Sequence, residues 1–198
     1  MASERSVVAS MPVSVVASNR ASGRGVATLW VAMLAGVSAA VTLRLACATP
    51  FVALAALAGM RLRLRDAMAL MVIAWASSQL IGFAVLHYPN DPVTIAWGGA
   101  MLSAALAALG AARWGGGKAR AGGVAMATGF GAGFVAYKLV LLGWSFVLGG
   151  VHTALSPYWT AQQFGREALI LVGLATGWRL LVRAGVPAPK LPLLDPAQ

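Results

Sequence analysis

The sequence predicts an all-α integral membrane protein with six transmembrane helices and both termini in the cytoplasm. Three observations predict it. Of its 198 residues, 60% are apolar and only 10% charged, whereas soluble domains average about 45–50% and about 25%. Uncharged apolar stretches recur along the chain at close to the roughly 20-residue length of a spanning helix. Basic residues gather at alternate ends of those stretches, as they do in cytoplasmic loops. This composition excludes a self-standing water-soluble globule and a disordered chain, and the lone Cys47 excludes a disulfide scaffold. The net charge of +10 sits at the ends of apolar runs rather than along one helix face. It therefore suits anionic lipid headgroups and topology, not nucleic acid.

Residues 1–25 mix Ser, Ala and Val with scattered Arg and show no sustained period, so they are read as a flexible cytoplasmic tail. The first two apolar stretches, residues 25–43 and 45–60, are separated by Arg44 alone. The tail and the cluster Arg61, Arg63, Arg65 are both basic, so an even number of crossings lies between them. A tight helical hairpin turning near Arg44 satisfies that parity. Its second arm is short, and Pro50 lies in the first turn or two, where proline is tolerated. Ala46-Cys47-Ala48 looks like a processing site. Cleavage there would leave about twelve residues before Arg61, too few to span.

The third helix follows within residues 67–90 and the fourth within 92–112. The fifth begins near 121 and continues past Lys138 to about Gly150, and the sixth runs from near Gly165 to Ala184. Ser156-Pro157 has the cap-then-proline order of a helix start, which lets the sixth helix begin above the membrane. Arg113, Lys118 and Arg120 face inward, as do Arg179, Arg183 and Lys190, while the outer loops hold Arg44 alone. Lys138 and Arg166 are left at membrane depth. Residues 26–184 thus form the six-helix domain, and 185–198 a second cytoplasmic tail.

Small residues at four-residue spacing let membrane helices approach closely. Helix 1 carries Ala32, Ala35, Gly36, Ala39 and Ala40; helix 5 carries Ala125, Gly129 and Gly133. Internal bundle packing explains both sets, and contact with a partner subunit is the sharper reading for helix 1. Trp30, Trp75, Trp114 and Trp178 lie near helix ends and read as interfacial anchors.

The outer end is chemically richer. Ser77, Ser78 and Gln79 lead to His87, Tyr88, Pro89, Asn90 and Asp91, then Thr94 and Trp97; the last outer connection adds Trp144, His152, Ser156, Tyr158, Trp159, Gln162 and Gln163. A small-molecule site needs aromatic walls and a few convergent polar groups. Gln79, His87, Tyr88, Asn90, Trp97, Trp144, His152 and Trp159 are therefore the candidate lining, with Lys138 as charge partner. An ordinary polar rim has the same composition. Two His, one Asp and a distant Cys form no spaced metal motif, and the sequence calls for no cofactor.

An intramembrane cation is costly unless it snorkels or is paired. Lys138 and Glu167 lie at similar distances from their shared outer connection, so an ion pair between them is one expectation. Capture of an anionic ligand group and snorkelling to the headgroups are the others. No HExxH, Walker or GxSxG pattern is present, and the glycines from 129 to 133 lie in an apolar run with no following Lys-Ser or Lys-Thr, so the protein is read as a non-enzyme.

In helix number, inward termini, the small-residue first helix (Ala32, Ala35, Gly36, Ala39, Ala40) and the aromatic, polar outer end, residues 26–184 resemble the substrate-capture S components of energy-coupling-factor (ECF) transporters. The resemblance implies a bacterial inner-membrane protein that binds a vitamin-like micronutrient at its outer face. It implies delivery with a transmembrane coupling subunit and ATPases, and it would make the helix 1 alanines the coupling contact. No motif names a vitamin, and the histidine-bearing N-terminus of metal-specific members is absent. The rival reading is a non-catalytic structural subunit of a larger respiratory or photosynthetic complex, with the bilayer and neighbouring membrane subunits as its partners.

Overall fold

The computed structural model describes residues 13–44, 49–117 and 122–189. The described chain forms seven helices and no strand: α1 (Val13–Arg44), α2 (Phe51–Arg61), α3 (Leu64–Ala84), α4 (Pro92–Gly117), α5 (Gly122–Leu148), α6 (Val151–Leu155) and α7 (Pro157–Arg183). Four helical segments are long and apolar enough to cross a membrane: Gly25–Leu43, Leu64–Ala84, Pro92–Gly117 and Gly122–Leu148. α7 has 27 residues, about 40 Å at 1.5 Å per residue, but Arg166, Glu167 and Arg179 dilute its apolar character. The processing-like Ala46-Cys47-Ala48 stretch just past the proposed Arg44 turn, the Lys118–Arg120 loop and the tail from Lys190 onward lie outside the described residues, as do residues 1–12. The second half of the segment read as an N-terminal tail is helical, because α1 starts at Val13.

α4 and α5 form the tightest contact in the bundle, and small residues make it. A Cβ built on Gly129 would lie 2.9 Å from the Ala112 carbonyl oxygen, and one on Gly133 would lie 3.1 Å from that of Ala108. Across the same seam, a Cβ on Gly115 would meet Thr128 O at 3.0 Å. The backbones therefore approach as the Ala125, Gly129 and Gly133 spacing predicts for close packing.

The core is organised around α2. This helix has 11 residues, about 16 Å of rise, or roughly half the ~30 Å hydrocarbon thickness. Its residues from Phe51 through Ala58 are at most 1% exposed, because α3, α4, α5 and α7 all pack against it. α2 runs in the same direction as α4. Val52 lies beside Gly133, near Ala108 O; Gly59 lies beside Leu109 and Arg113; and Met60 packs on Gly116. Sixteen residues of α4 precede Ala108, so α4 rises about 24 Å beyond the start of α2. The N-terminus of α2 consequently lies inside the bundle rather than at its rim.

At the end opposite that overhang, Trp30 of α1 stacks on Trp178 of α7 with centroids 3.7 Å apart, and Trp30 Nε1 donates to Pro187 O at 2.9 Å. Both rings are buried, at 1% and 5% exposure. They join α1 to α7 from within instead of anchoring the surface. Trp114, by contrast, is 66% exposed, as an interfacial tryptophan would be.

Candidate functional site

A helix that begins in an apolar interior has first-turn N–H groups that water cannot satisfy. In α2 each of those donors has a partner. Phe51 N–H donates to Thr49 O at 2.9 Å, and Leu54 N–H to Pro50 O at 3.0 Å. Pro50 supplies no side-chain cap. The cap comes instead from α7, where Glu167 Oε2 accepts from Ala53 N–H at 3.0 Å and the Val52 N–H faces the same carboxylate. Glu167 is 2% exposed. A carboxylate on a helix N-terminus is favoured both by charge-assisted hydrogen bonding and by the helix dipole.

The other end of α2 is closed by a cation. Arg113 of α4 reaches sideways, and its Nη1 donates to Gly59 O at 2.9 Å and Leu62 O at 3.2 Å. These are carbonyls of the last turn and C-cap, where a positive charge complements the dipole. The half-length helix is thus held at one terminus by an acidic side chain and at the other by a basic one, from two neighbouring helices. Phe51 and Tyr137 pack beside the Glu167 end with ring centroids 6.3 Å apart.

Glu167 does not form an ion pair with Lys138, contrary to one sequence expectation. Lys138 is half-buried on α5, and the carboxylate turns to the α2 backbone. Equal depth along two helices says nothing about which way each side chain points around its own axis.

Above the start of α2, some of the predicted lining residues meet across helix seams. Trp75 Nε1 donates to Gly98 O at 2.8 Å, and Gln79 Oε1 lies where a Cβ on Gly98 would stand, 2.6 Å from it. Gly98 is therefore the gap on α4 that admits two α3 side chains. Gln79 Nε2 also contacts Ser78 Oγ at 3.4 Å. Trp144 Nε1 donates to Ser103 Oγ at 3.0 Å, tying α5 to α4. Trp97 is half-buried and lies near Gly150, whose φ of +90° turns the chain between α5 and α6. Tyr88 folds back over Gly82 and meets Phe83 edge-on at 6.2 Å.

The remaining candidates stand apart from that cluster. His87, Asn90 and His152 are exposed. Trp159 is 53% exposed and stacks edge-on with Tyr158 at 5.2 Å. His87 has a φ of +54°, a left-handed turn position that places it at the end of α3 without directing it inward. Asp91, read as one more rim residue, caps α4. Its Oδ1 accepts from Val93 N–H and Thr94 N–H at 2.9 and 3.0 Å, and its Oδ2 from Thr94 Oγ1 at 2.6 Å. The Thr94 hydroxyl, and then the first-turn amides, hold its carboxyl below the ordinary aspartate value. Among the described residues, no three His, Cys, Asp or Glu side chains gather closely enough to hold a metal ion.

No family model, curated protein or solved structure matches the chain. The functional reading accordingly stands on the residues themselves.

The predicted partner-contact residues divide into two groups. Ala35 is buried in the core at 8% exposure and Ala39 is half-buried, whereas Ala32, Gly36 and Ala40 are exposed on α1. A Cβ at Gly36 would meet nothing within 4 Å. Two groups that sequence reasoning did not assign to a site, the Arg113 guanidinium and the α2 backbone, are central to the arrangement. The short second arm with Pro50 in its first turn was the available signal for the interrupted helix.

Proposed function

We propose that the chain is a multi-pass protein of a bacterial inner membrane that captures a small, vitamin-like solute from the outer side. It passes the solute on together with a separate energising complex, as the resemblance to ECF S components implies, and does no covalent chemistry itself. The observation that carries this reading is the half-length helix α2, which begins inside the bundle beneath the uncharged polar and aromatic groups of the outer half. Interrupted helices that start near the bilayer midplane are the usual framework of solute sites in membrane transporters. Gln79, Trp97 and Trp144 are the proposed lining on the α3–α4–α5 side, and the exposed His87, Asn90, His152 and Trp159 the proposed entry rim.

In this topology α3, α4, α5 and α7 cross, and α1 with the half-length α2 returns to the side it left. The N-terminus, Arg61, Arg113, Arg179 and the C-terminus then all face the cytoplasm, consistent with the distribution of basic residues. What supports α7 as a crossing is that Glu167 turns to the α2 amides rather than to lipid.

Purification in a mild detergent, with mass spectrometry of associated chains and bound small molecules, tests the proposal. A co-purifying solute with an ATPase pair is the expected result. A second reading, a structural subunit, is favoured by the open face at Ala32, Gly36 and Ala40. That reading predicts a large respiratory or photosynthetic assembly and no solute, and such a result would overturn the first.

A further inference from the structure

We infer that Glu167 is a proton-operated latch on the N-terminus of α2: charged, it holds the start of this half-length helix in place, and on taking up a proton from water it lets that end go. The geometry sets the terms. The carboxyl is one of the chain's 5 acidic side chains, is almost fully buried, and contacts the start of α2, the half-length helix that begins within the bundle. An ionisable side chain at such a place is costly to keep and is characteristic of proton pathways and switches. Its hydrogen-bond partner is the Ala53 amide, so the interaction depends on the carboxylate charge in two ways. Protonation turns a charge-assisted hydrogen bond into a neutral one of about half the strength, and it removes the attraction to the helix dipole.

The neighbouring groups do not duplicate that charge. α5 presents the Tyr137 phenol, which is neutral at ordinary pH, and Lys138, which forms no ion pair with Glu167. α7 itself adds Arg166, next in sequence to Glu167. α2 offers backbone amides alone, with Arg61 at its far end. On α4, Arg113 is engaged at that same far end, on Gly59 and Leu62, and on α3 the acidic residue is Asp66 in the first turn. Releasing Glu167 therefore frees the N-terminal turn of α2 while Arg113 still holds the C-terminal turn. The expected motion is a tilt of α2 about its Arg113-bound end, which widens the interior just below the outer half of the bundle. The inference does not depend on solute capture. A protein that binds no solute can still possess the latch, and a solute-binding protein can lack it.

The test is amide hydrogen exchange of the full chain in lipid nanodiscs between about pH 8 and about pH 5, corrected for the intrinsic pH dependence of exchange. Exchange at Val52, Ala53 and Leu54 should accelerate on the order of tenfold on acidification, while the amides at Met60 and Arg61 stay unchanged. Glu167→Gln should exchange fast at the α2 start at every pH, and Glu167→Asp should retain a pH response with a displaced midpoint. A flat wild-type profile at residues 52–54 overturns the latch without recourse to any variant. An undiminished pH response in the Gln variant, or acceleration spread evenly along α2, does so as well.

Discussion

Replacing Gly129 with alanine would drive a methyl group to 2.9 Å from the backbone carbonyl oxygen of Ala112. Ordinary van der Waals contact begins near 3.4 Å, so α4 and α5 would have to separate by about half an ångström along a seam that also includes Gly133 against Ala108 O at 3.1 Å. A carbonyl fixed in a helix cannot swing aside as a long side chain can. Overpacking of this kind costs about 1–3 kcal/mol, and removing a helical glycine returns about 0.5–1 kcal/mol. The net expectation is destabilisation of about 0.5–2 kcal/mol. Gly131→Ala is the matched control: it lies on the same helix two residues away, and a Cβ there meets nothing within 4 Å. It should therefore be neutral or slightly stabilising. Unfolding by sodium dodecyl sulfate in mixed micelles, followed by far-UV circular dichroism, gives both values. Equal stabilities for the two variants would refute the close-approach argument.

Arg113→Met removes the donor from Gly59 O and Leu62 O and should cost about 1.5–3 kcal/mol, the worth of hydrogen bonds to a charged group; Lys at the same position should recover only part, and the same unfolding titration reads both. Asp91 has a lowered folded-state value, so its contribution to the α4 start is fully present above the ordinary aspartate range and is lost as pH falls through the lowered value. Protection of the Val93 and Thr94 amides from exchange should follow that acid-side transition, and Asp91→Ala should abolish it. Gly36→Leu projects into open space, so the isolated chain should keep its stability; in a mild-detergent pull-down, a subunit docked on the Ala32–Gly36–Ala40 face should be lost. Trp75→Phe leaves the Gly98 carbonyl without its donor and should cost about 1 kcal/mol in the same unfolding assay, with no change at the Trp30–Trp178 stack.

Sequence reasoning succeeded where the determining interaction was local or periodic. The four-residue spacing of Ala125, Gly129 and Gly133 announced a close helix contact, and Ser156-Pro157 marked the start of α7. Four long apolar helical segments were likewise legible as candidate spans. What escaped it were partners fixed by azimuth and by backbone. Glu167 and Lys138 match in depth, yet Glu167 faces α2 and bonds to an amide, a group that every residue except proline carries and that composition cannot flag. Arg113 looked like a loop-end cation, but its long stem lets the guanidinium reach across to α2. Trp30 and Trp178 have the positions of interfacial anchors, and only the approach of α1 to α7 shows that they stack on each other. Gln79 and Trp144, singled out by their chemistry, touch the neighbouring helix α4 at Gly98 and Ser103. His87, His152 and Trp159 share that chemistry but are exposed.

The side of the membrane occupied by each end of α3 and α7 bears most directly on this account. Single cysteines introduced into a chain carrying Ser at position 47 can be challenged with a membrane-impermeant thiol reagent in intact cells. Cysteines at Asn90 and Tyr158 should react before permeabilisation, and cysteines at Arg63 and Arg183 only after it. Reaction of positions 63 and 90 from the same side would contradict the topology, and with it the placement of the α2 start in the membrane interior.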